Sequence, residues 1–104
     1  MKYAKCVLLT VILCASQSAI AAGDAAAGAG KAAVCAACHG PMGISANPLW
    51  PNLAGQQEVY LAKQIKAFRD GARQEPTMQP FMMNLSDQDA DDLAAHFASL
   101  KGCP

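Results

Sequence analysis

Cys35 and Cys38 are separated by two alanines and followed directly by His39. On a helix, side chains at i and i+3 share one face about one turn apart. Two thiols so placed can add to the two vinyl groups along one edge of a porphyrin. The adjacent histidine is then carried over the ring, where its imidazole reaches the iron. The pattern reads as the attachment site of a c-type haem. Two other chemistries use paired cysteines. A dithiol redox pair prefers a strand–helix–strand setting, and this chain shows no strand-like alternation. A structural zinc site needs two further ligands. Only Cys103, His96 and the carboxylates are left to supply them, without a second paired motif.

A haem used to carry electrons needs its sixth position filled, so that the redox change moves few atoms. Methionine opposite histidine does this and raises the reduction potential. Beyond the initiator, the methionines are Met42, Met78, Met82 and Met83. Met42 lies three residues after His39 and is expected on the wrong side of the ring. The other three fall in segment 72–85, where Pro76 and Pro80 predict an extended, conformationally limited connection. Met78 stands between the two prolines, where a stiff loop can present its sulfur. Met82 and Met83 read as pocket wall or core, a common use of methionine, and stay open as alternatives.

Three helices are predicted to position these groups. Asp24 can cap a helix running from Ala25 through the cysteine motif, in alanine-rich sequence of good helix propensity. Gly28 and Gly30 weaken it, which suggests close approach of another helix. After Gly40, the run Pro41 to Pro48 has no periodicity and reads as a loop beside the haem. A second helix is predicted from about Gln56 to Asp70, closed by Gly71 in the left-handed position, with Leu61, Ile65 and Phe68 on its inner face. A third opens at Ser86, with Asp87, Asp89, Asp91 and Asp92 near its positive end and Ala90, Leu93, Ala94, Phe97 and Leu100 facing inward.

The chain begins with Lys2 and Lys5, an apolar run from Cys6 to about Ala15, and the small-residue sequence Ala19-Ile20-Ala21. This is the pattern of a secretory signal peptide over residues 1–21, cleaved after Ala21, with residues 22–104 as the domain. The apolar run is too short to span a bilayer comfortably, so no stable membrane insertion is expected. Removing 21 of the 104 residues leaves 83, and removing Lys2 and Lys5 leaves six basic residues against eight acidic ones. A balance that mild points to neither nucleic acid nor an anionic membrane as partner. A domain of this size usually needs a staple. Only Cys35, Cys38 and Cys103 survive cleavage, and segment 25–37 is mostly alanine and glycine. Something large and apolar must fill the middle.

Beyond these separate signals, Asp24-Ala-Ala-Ala-Gly28, CAACHG at 35–40, PNLAGQ at 51–56, FRDGAR at 68–73 and NLSDQDADDLAAHFASL at 84–100 resemble a bacterial class I c-type cytochrome. The nearest type is the one that also occurs as a tandem repeat in dihaem periplasmic cytochromes. The resemblance covers residues 22–101, with one C-x-x-C-H. It implies an all-α class I cytochrome c fold, with N- and C-terminal helices crossing around one covalently bound haem c. It implies Cys35 and Cys38 as the haem thioethers, and His39 and Met78 as the axial ligands of the iron. Met78 stands seven positions before Leu85, as the family's ligand methionine does before the leucine of its last helix start. The backbone carbonyl of Pro51 is implied as the partner of His39. Trp50 is expected to pack on the haem or to be ordinary core, Arg69 or Arg73 to pair with a haem propionate or to be solvated, and His96 to replace an aromatic that packs on the first helix.

The expected function is therefore electron transport by an exported, periplasmic monohaem cytochrome, not an enzyme. Its partners would be an electron donor and acceptor that bind transiently. A dedicated haem subunit of a dehydrogenase or oxidase complex is the alternative, and a gas-binding haem sensor the second. A basic stripe of Lys63, Lys66, Arg69 and Arg73 opposes the acidic start of the third helix, read as a solvated charged face rather than a docking dipole. The expected state is a monomer, with Cys103 open to pairing with another chain.

Overall fold

The computed structural model describes residues 23–103. The expected signal peptide, together with Ala22 and Pro104 at the ends of the expected domain, lies outside the described residues. Among the described residues the regular structure is entirely helical: α1 (Ala25–Lys31), α2 (Ala33–His39), α3 (Glu58–Asp70), α4 (Gln79–Met82) and α5 (Asp87–Ser99).

The first predicted helix is two. At Ala32 the helical ladder tightens: its N–H reaches back three residues to Ala29, and its carbonyl accepts from both Cys35 and Ala36. Ala32 itself keeps near-helical dihedrals and is buried in the core, and α2 carries the cysteine motif beyond it. The termini of α1 and α5 follow their sequence signals. The Asp24 carboxylate accepts from the N–H groups of Ala26 and Ala27 at 2.9 and 3.2 Å. Ser86 and Asp89 form a reciprocal capping box, in which the Ser86 hydroxyl accepts from the Asp89 N–H and the Asp89 carboxylate from the Ser86 N–H.

Helix α1 crosses α5 at Gly28. A Cβ there would overlap the backbone carbonyl of Asp92, whereas one on Gly30 would meet nothing. The close approach inferred from the two glycines thus belongs to Gly28 alone. His96 lies at the same crossing, its Cβ facing the Gly28 position. The crossing is locked by Asp92, which is 3% exposed. Its carboxylate accepts from the Asp24 N–H (2.8 Å), the Lys31 ammonium (2.7 Å) and the Gln88 amide (2.8 Å). One side chain of α5 therefore holds both ends of α1. These donors, the Lys31 ammonium foremost, lower the pKa of Asp92 to about 2. Asp89, beside Lys31 and inside the capping box, is lowered to about 2 as well.

Helix α3 packs on α5 through Leu61, Leu93, Ala94 and Phe97, which with Ala32 make the core. Two ion pairs flank this contact. Lys66 meets Asp91 at 2.8 Å, and Arg69 meets Asp87 at 2.8 Å while also donating to the Leu85 carbonyl. Much of the predicted basic stripe is thus spent inside the molecule, tying α3 to the acidic start of α5. Segment 72–85, predicted as extended, contains the short helix α4. Pro80 stands near its start, where a preset φ helps and a missing N–H costs nothing.

Candidate functional site

Helix α2 turns Cys35 and Cys38 to one side, half-buried, and ends on His39, which is 5% exposed. All three line a cleft of about 440 Å³ enclosed by α2, the loop 49–56, α3 and the segment from Arg73 to Met82. The loop that forms one wall is cinched to the motif. The Ser45 hydroxyl donates toward the carbonyls of Cys38 (3.1 Å) and Asn47 (2.9 Å), and the N–H groups of Leu53 and Ala54 donate to the Gly43 carbonyl. The Gly55 N–H donates to Phe97 of α5 at 3.0 Å, anchoring the loop's far end to the core.

This loop places the Pro51 carbonyl 2.7 Å from Nδ1 of His39. A carbonyl can only accept, so Nδ1 carries a proton, and Nε2 is the ring nitrogen left without a protein partner. No side-chain nitrogen or oxygen among the described residues is both fully buried and unpartnered, so the partnerless Nε2 opens to the cleft. The result is an imidazole with its orientation fixed from behind and Nε2 presented to the cavity, the usual arrangement of a metal-ligating histidine.

The thiols are suited to covalent attachment rather than to dithiol redox work. Cys35, Cys38 and Cys103 form no disulfide, and burial pushes the Cys35 thiol up, away from the thiolate that a redox pair needs. Among the described residues no three histidine, cysteine or acidic side chains are placed to chelate a metal ion directly, as a structural zinc site would need.

Of the methionines, Met78 and Met82 line the cleft. Met78 caps α4 and Met82 ends it, four residues on and 3% exposed. Met42 and Met83 are exposed and do not line the cleft. Trp50 lines the cleft, as expected of a residue packing on a cofactor. The two arginines separate: Arg69 is engaged by Asp70, Asp87 and the Leu85 carbonyl, whereas Arg73 reaches the cleft. His96 belongs to the α1–α5 crossing and not to the site. Cys103 is exposed, its sulfur 3.4 Å from the Asn52 amide.

The cleft fits a haem on its own evidence. Its lining is predominantly apolar, from Leu49, Leu53, Leu61, Ile65, Phe68, Phe81, Leu93 and Phe97, and its volume is that of a small-molecule site. The core around it is short of bulk: not one large side chain among the described residues is completely buried. Leu49 is 82% exposed and Phe81 49% while facing the cavity, an arrangement that makes sense for residues whose apolar partner is a flat, hydrophobic cofactor.

Comparison with known proteins leads to the same family. Residues 25–101 match the family model of Cytochrome c. Cytochrome c4 of Pseudomonas aeruginosa is 58% identical over 81 residues, which are 78% of this chain and 40% of that protein. Cytochrome c-554(548) of Halomonas halodenitrificans is 48% identical over 81 residues, 75% of this chain and 98% of that one. The crystal structure of reduced recombinant cytochrome c4 from Pseudomonas stutzeri superposes with a TM-score of 0.76 at 47% identity, over 79% of this chain and 48% of that chain. The chain spans half or less of the length of these cytochromes c4, and nearly all of the shorter relative. With the all-α class I fold, one crossing of first and last helices and one C-x-x-C-H, it belongs to the cytochrome c family and carries a single covalently bound haem c.

Proposed function

We propose that residues 22–104 form a monohaem electron carrier in which Cys35 and Cys38 would bind the haem as thioethers, and His39 and Met78 would ligate its iron. The observation that carries this reading is the His39–Pro51 contact, which turns the other ring nitrogen towards a cleft lined by both cysteines and by Met78. When bound, the haem supplies a one-electron ferric–ferrous couple. The chain's own groups do the rest. Pro51 fixes the imidazole, the cinched loop 40–56 and the α4 segment close the two faces against water, and the apolar walls set a low-dielectric surround that, with the methionine, favours the reduced form. No side chain in the cleft is assigned acid–base or nucleophilic work.

The likeness to cytochromes c4 supports a periplasmic setting, reached through the N-terminal signal over residues 1–21, and weak, brief complexes with redox proteins as donor and acceptor. Exchange would occur at the cleft mouth, beside loop 40–49 and segment 76–84. No described helix is long and apolar enough to cross a membrane.

One second reading has an observation behind it. Met82 is more deeply buried than Met78 and shares the cleft, so it is the rival for the sixth position. Met78 is preferred because it lies half-exposed at the cleft-facing start of α4, while Met82 packs as wall. Near-infrared spectra of the ferric holoprotein decide between them. The sulfur-to-iron charge-transfer band is expected to vanish in Met78→Ala and persist in Met82→Ala, and the reverse result moves the ligand to Met82. A ferrous wild-type protein that binds carbon monoxide readily would mean an open sixth site, and would move the function to gas binding.

A further inference from the structure

His39 and Pro51 lie twelve residues apart in the chain, and the 2.7 Å contact between them depends on how the intervening segment is held. Ser45 stands midway and reaches both ends. Its hydroxyl donates toward the carbonyl of Cys38, the residue before His39, at 3.1 Å. Its backbone N–H donates to the side-chain oxygen of Asn52, the residue after Pro51, at 2.7 Å. The two flanks of the histidine contact are thus joined a second time, and Cys38, His39, Pro51, Asn52 and Ser45 close a ring. The loop supports this bridge. The Ser45 hydroxyl accepts from the Asn47 N–H at 3.1 Å, and the same hydroxyl proton also faces the Asn47 carbonyl at 2.9 Å. That carbonyl accepts in turn from the Trp50 N–H at 3.1 Å, so the chain enters Pro51 from a turn that starts at Ser45. The other bond of the Asn52 amide, 3.4 Å to the Cys103 sulfur, reaches only a weak acceptor. The base of the loop has its own anchor, the Gly43 carbonyl bound by the N–H groups of Leu53 and Ala54.

Ser45 does not line the cleft, Asn52 does, and neither is charged. Any influence of Ser45 on a group in the cleft therefore travels through the backbone that it ties. What that backbone sets is the alignment of the Pro51 carbonyl with the imidazole, and hydrogen-bond strength depends on distance and angle. A carbonyl that accepts from a ligand imidazole makes it a better electron donor to the metal, which favours the ferric over the ferrous state. We propose that Ser45 and Asn52 are positioning residues, a two-armed clasp that keeps the His39–Pro51 hydrogen bond short and thereby lowers the reduction potential. This rests on the haem attachment and the His39 ligation proposed above.

The test measures the reduction potential, and the exchange of the His39 Nδ1–H with solvent, in holoproteins carrying Ser45→Ala, Asn52→Ala and both. Cutting either arm opens the same ring. Each single variant is therefore expected to raise the potential and to speed the exchange several-fold. The double variant is expected to shift no further than the larger single one, because the two side chains act through one bridge. Ser99→Ala is the matched control. It removes a hydroxyl that donates to the His96 carbonyl on α5, away from the cleft, and is expected to leave both readouts unchanged. Low-spin visible spectra confirm that each variant kept its fold and ligands. In the unmodified protein the Ser45 amide is expected to exchange as slowly as those of Leu53 and Ala54, which needs no variant to fold. A potential unchanged or lowered in Ser45→Ala, additive shifts in the double variant, or an unprotected Ser45 amide overturns the proposal. Failure of the haem attachment itself would show separately, as an intact mass of the unmodified protein lacking one haem.

Discussion

The α1–α5 crossing and the haem cleft share helix α5 and one small core, and are built on opposite terms. At the crossing the chain satisfies itself. A glycine lets two backbones touch, one buried carboxylate holds three donors, and a capping box closes the helix start. In the cleft the chain is incomplete. Large apolar side chains such as Leu49 and Phe81 face a cavity, and His39 is oriented with one ring nitrogen left over. The difference teaches how a small helical domain with little apolar bulk holds a fold. Its helices are locked together by polar geometry and close contact where they cross, and the missing hydrophobic mass is delegated to the cofactor.

Removing the cofactor is the most severe way to break that division. The double variant Cys35→Ser, Cys38→Ser is expected to lose all covalently bound haem, so that acidified acetone strips the colour that the unmodified protein retains. Near-UV circular dichroism is expected to collapse with it, because the cleft walls then have no partner. A native-like signal in the haem-free variant would show that the crossing alone sustains the fold. The crossing itself is broken next most strongly by Gly28→Ala. The added Cβ meets the Asp92 carbonyl, a backbone atom that cannot rotate away. The expected loss is about 2–3 kcal/mol, at the upper end of overpacking costs, read as a lowered denaturant midpoint with the visible spectrum intact.

The two regions also differed in how legible they were. The cleft's chemistry could be read early because its parts are local: Cys35, Cys38 and His39 announce themselves by spacing, and the prolines around Met78 mark a constrained segment. The capping residues Asp24 and Ser86 and the turn at Gly71 were legible for the same reason, each being a rule about neighbours in sequence. The break at Ala32 was not, since alanine is a strong helix former and no local signal marks the interruption. Helix α4 was hidden by prolines that suggest extension, although Pro80 suits a helix start. Asp92 stood in a run of four acids that reads as one solvated, dipole-compensating patch. Only the packing of α1 singles it out as the buried clamp, and only the folded ion pairs show that Lys66 and Arg69 bind α5 rather than solvent. The sequence clue is that Asp89, Asp92 and His96 fall on the one face of α5 that meets α1.

Because the crossing is electrostatic where the cleft is apolar, acid should find it first. Asp89 and Asp92 are lowered from an ordinary carboxylate value of 3.8 to about 2 by Lys31 and their backbone donors. Both folded and unfolded chains are ionised above about pH 4, where the contribution is complete. As the pH falls towards 2 the unfolded chain takes up protons first, and the stabilisation is progressively lost. Denaturant midpoints of the holoprotein should therefore decline between about pH 4 and 2, and Asp92→Asn should start lower at neutral pH but fall less steeply on acidification. An equally steep acid limb in Asp92→Asn would place the sensitivity elsewhere.

The smallest effect is the sharpest control on the crossing. Gly30 sits two residues from Gly28 on the same helix, yet a Cβ there meets no atom within 4 Å. Neither glycine has a positive φ, so the backbone at both accepts alanine without strain, and the two substitutions differ only in what the methyl group touches. Gly30→Ala should stabilise the protein by about 0.5–1 kcal/mol, the ordinary gain from replacing a helical glycine, raising the denaturant midpoint while Gly28→Ala lowers it. The opposite signs would assign the cost at Gly28 to the Asp92 carbonyl alone, since helix propensity favours alanine equally at both positions. If both substitutions destabilised, α1 would be intolerant of side chains along its whole length, and the contact with α5 would extend beyond the single crossing point at Gly28.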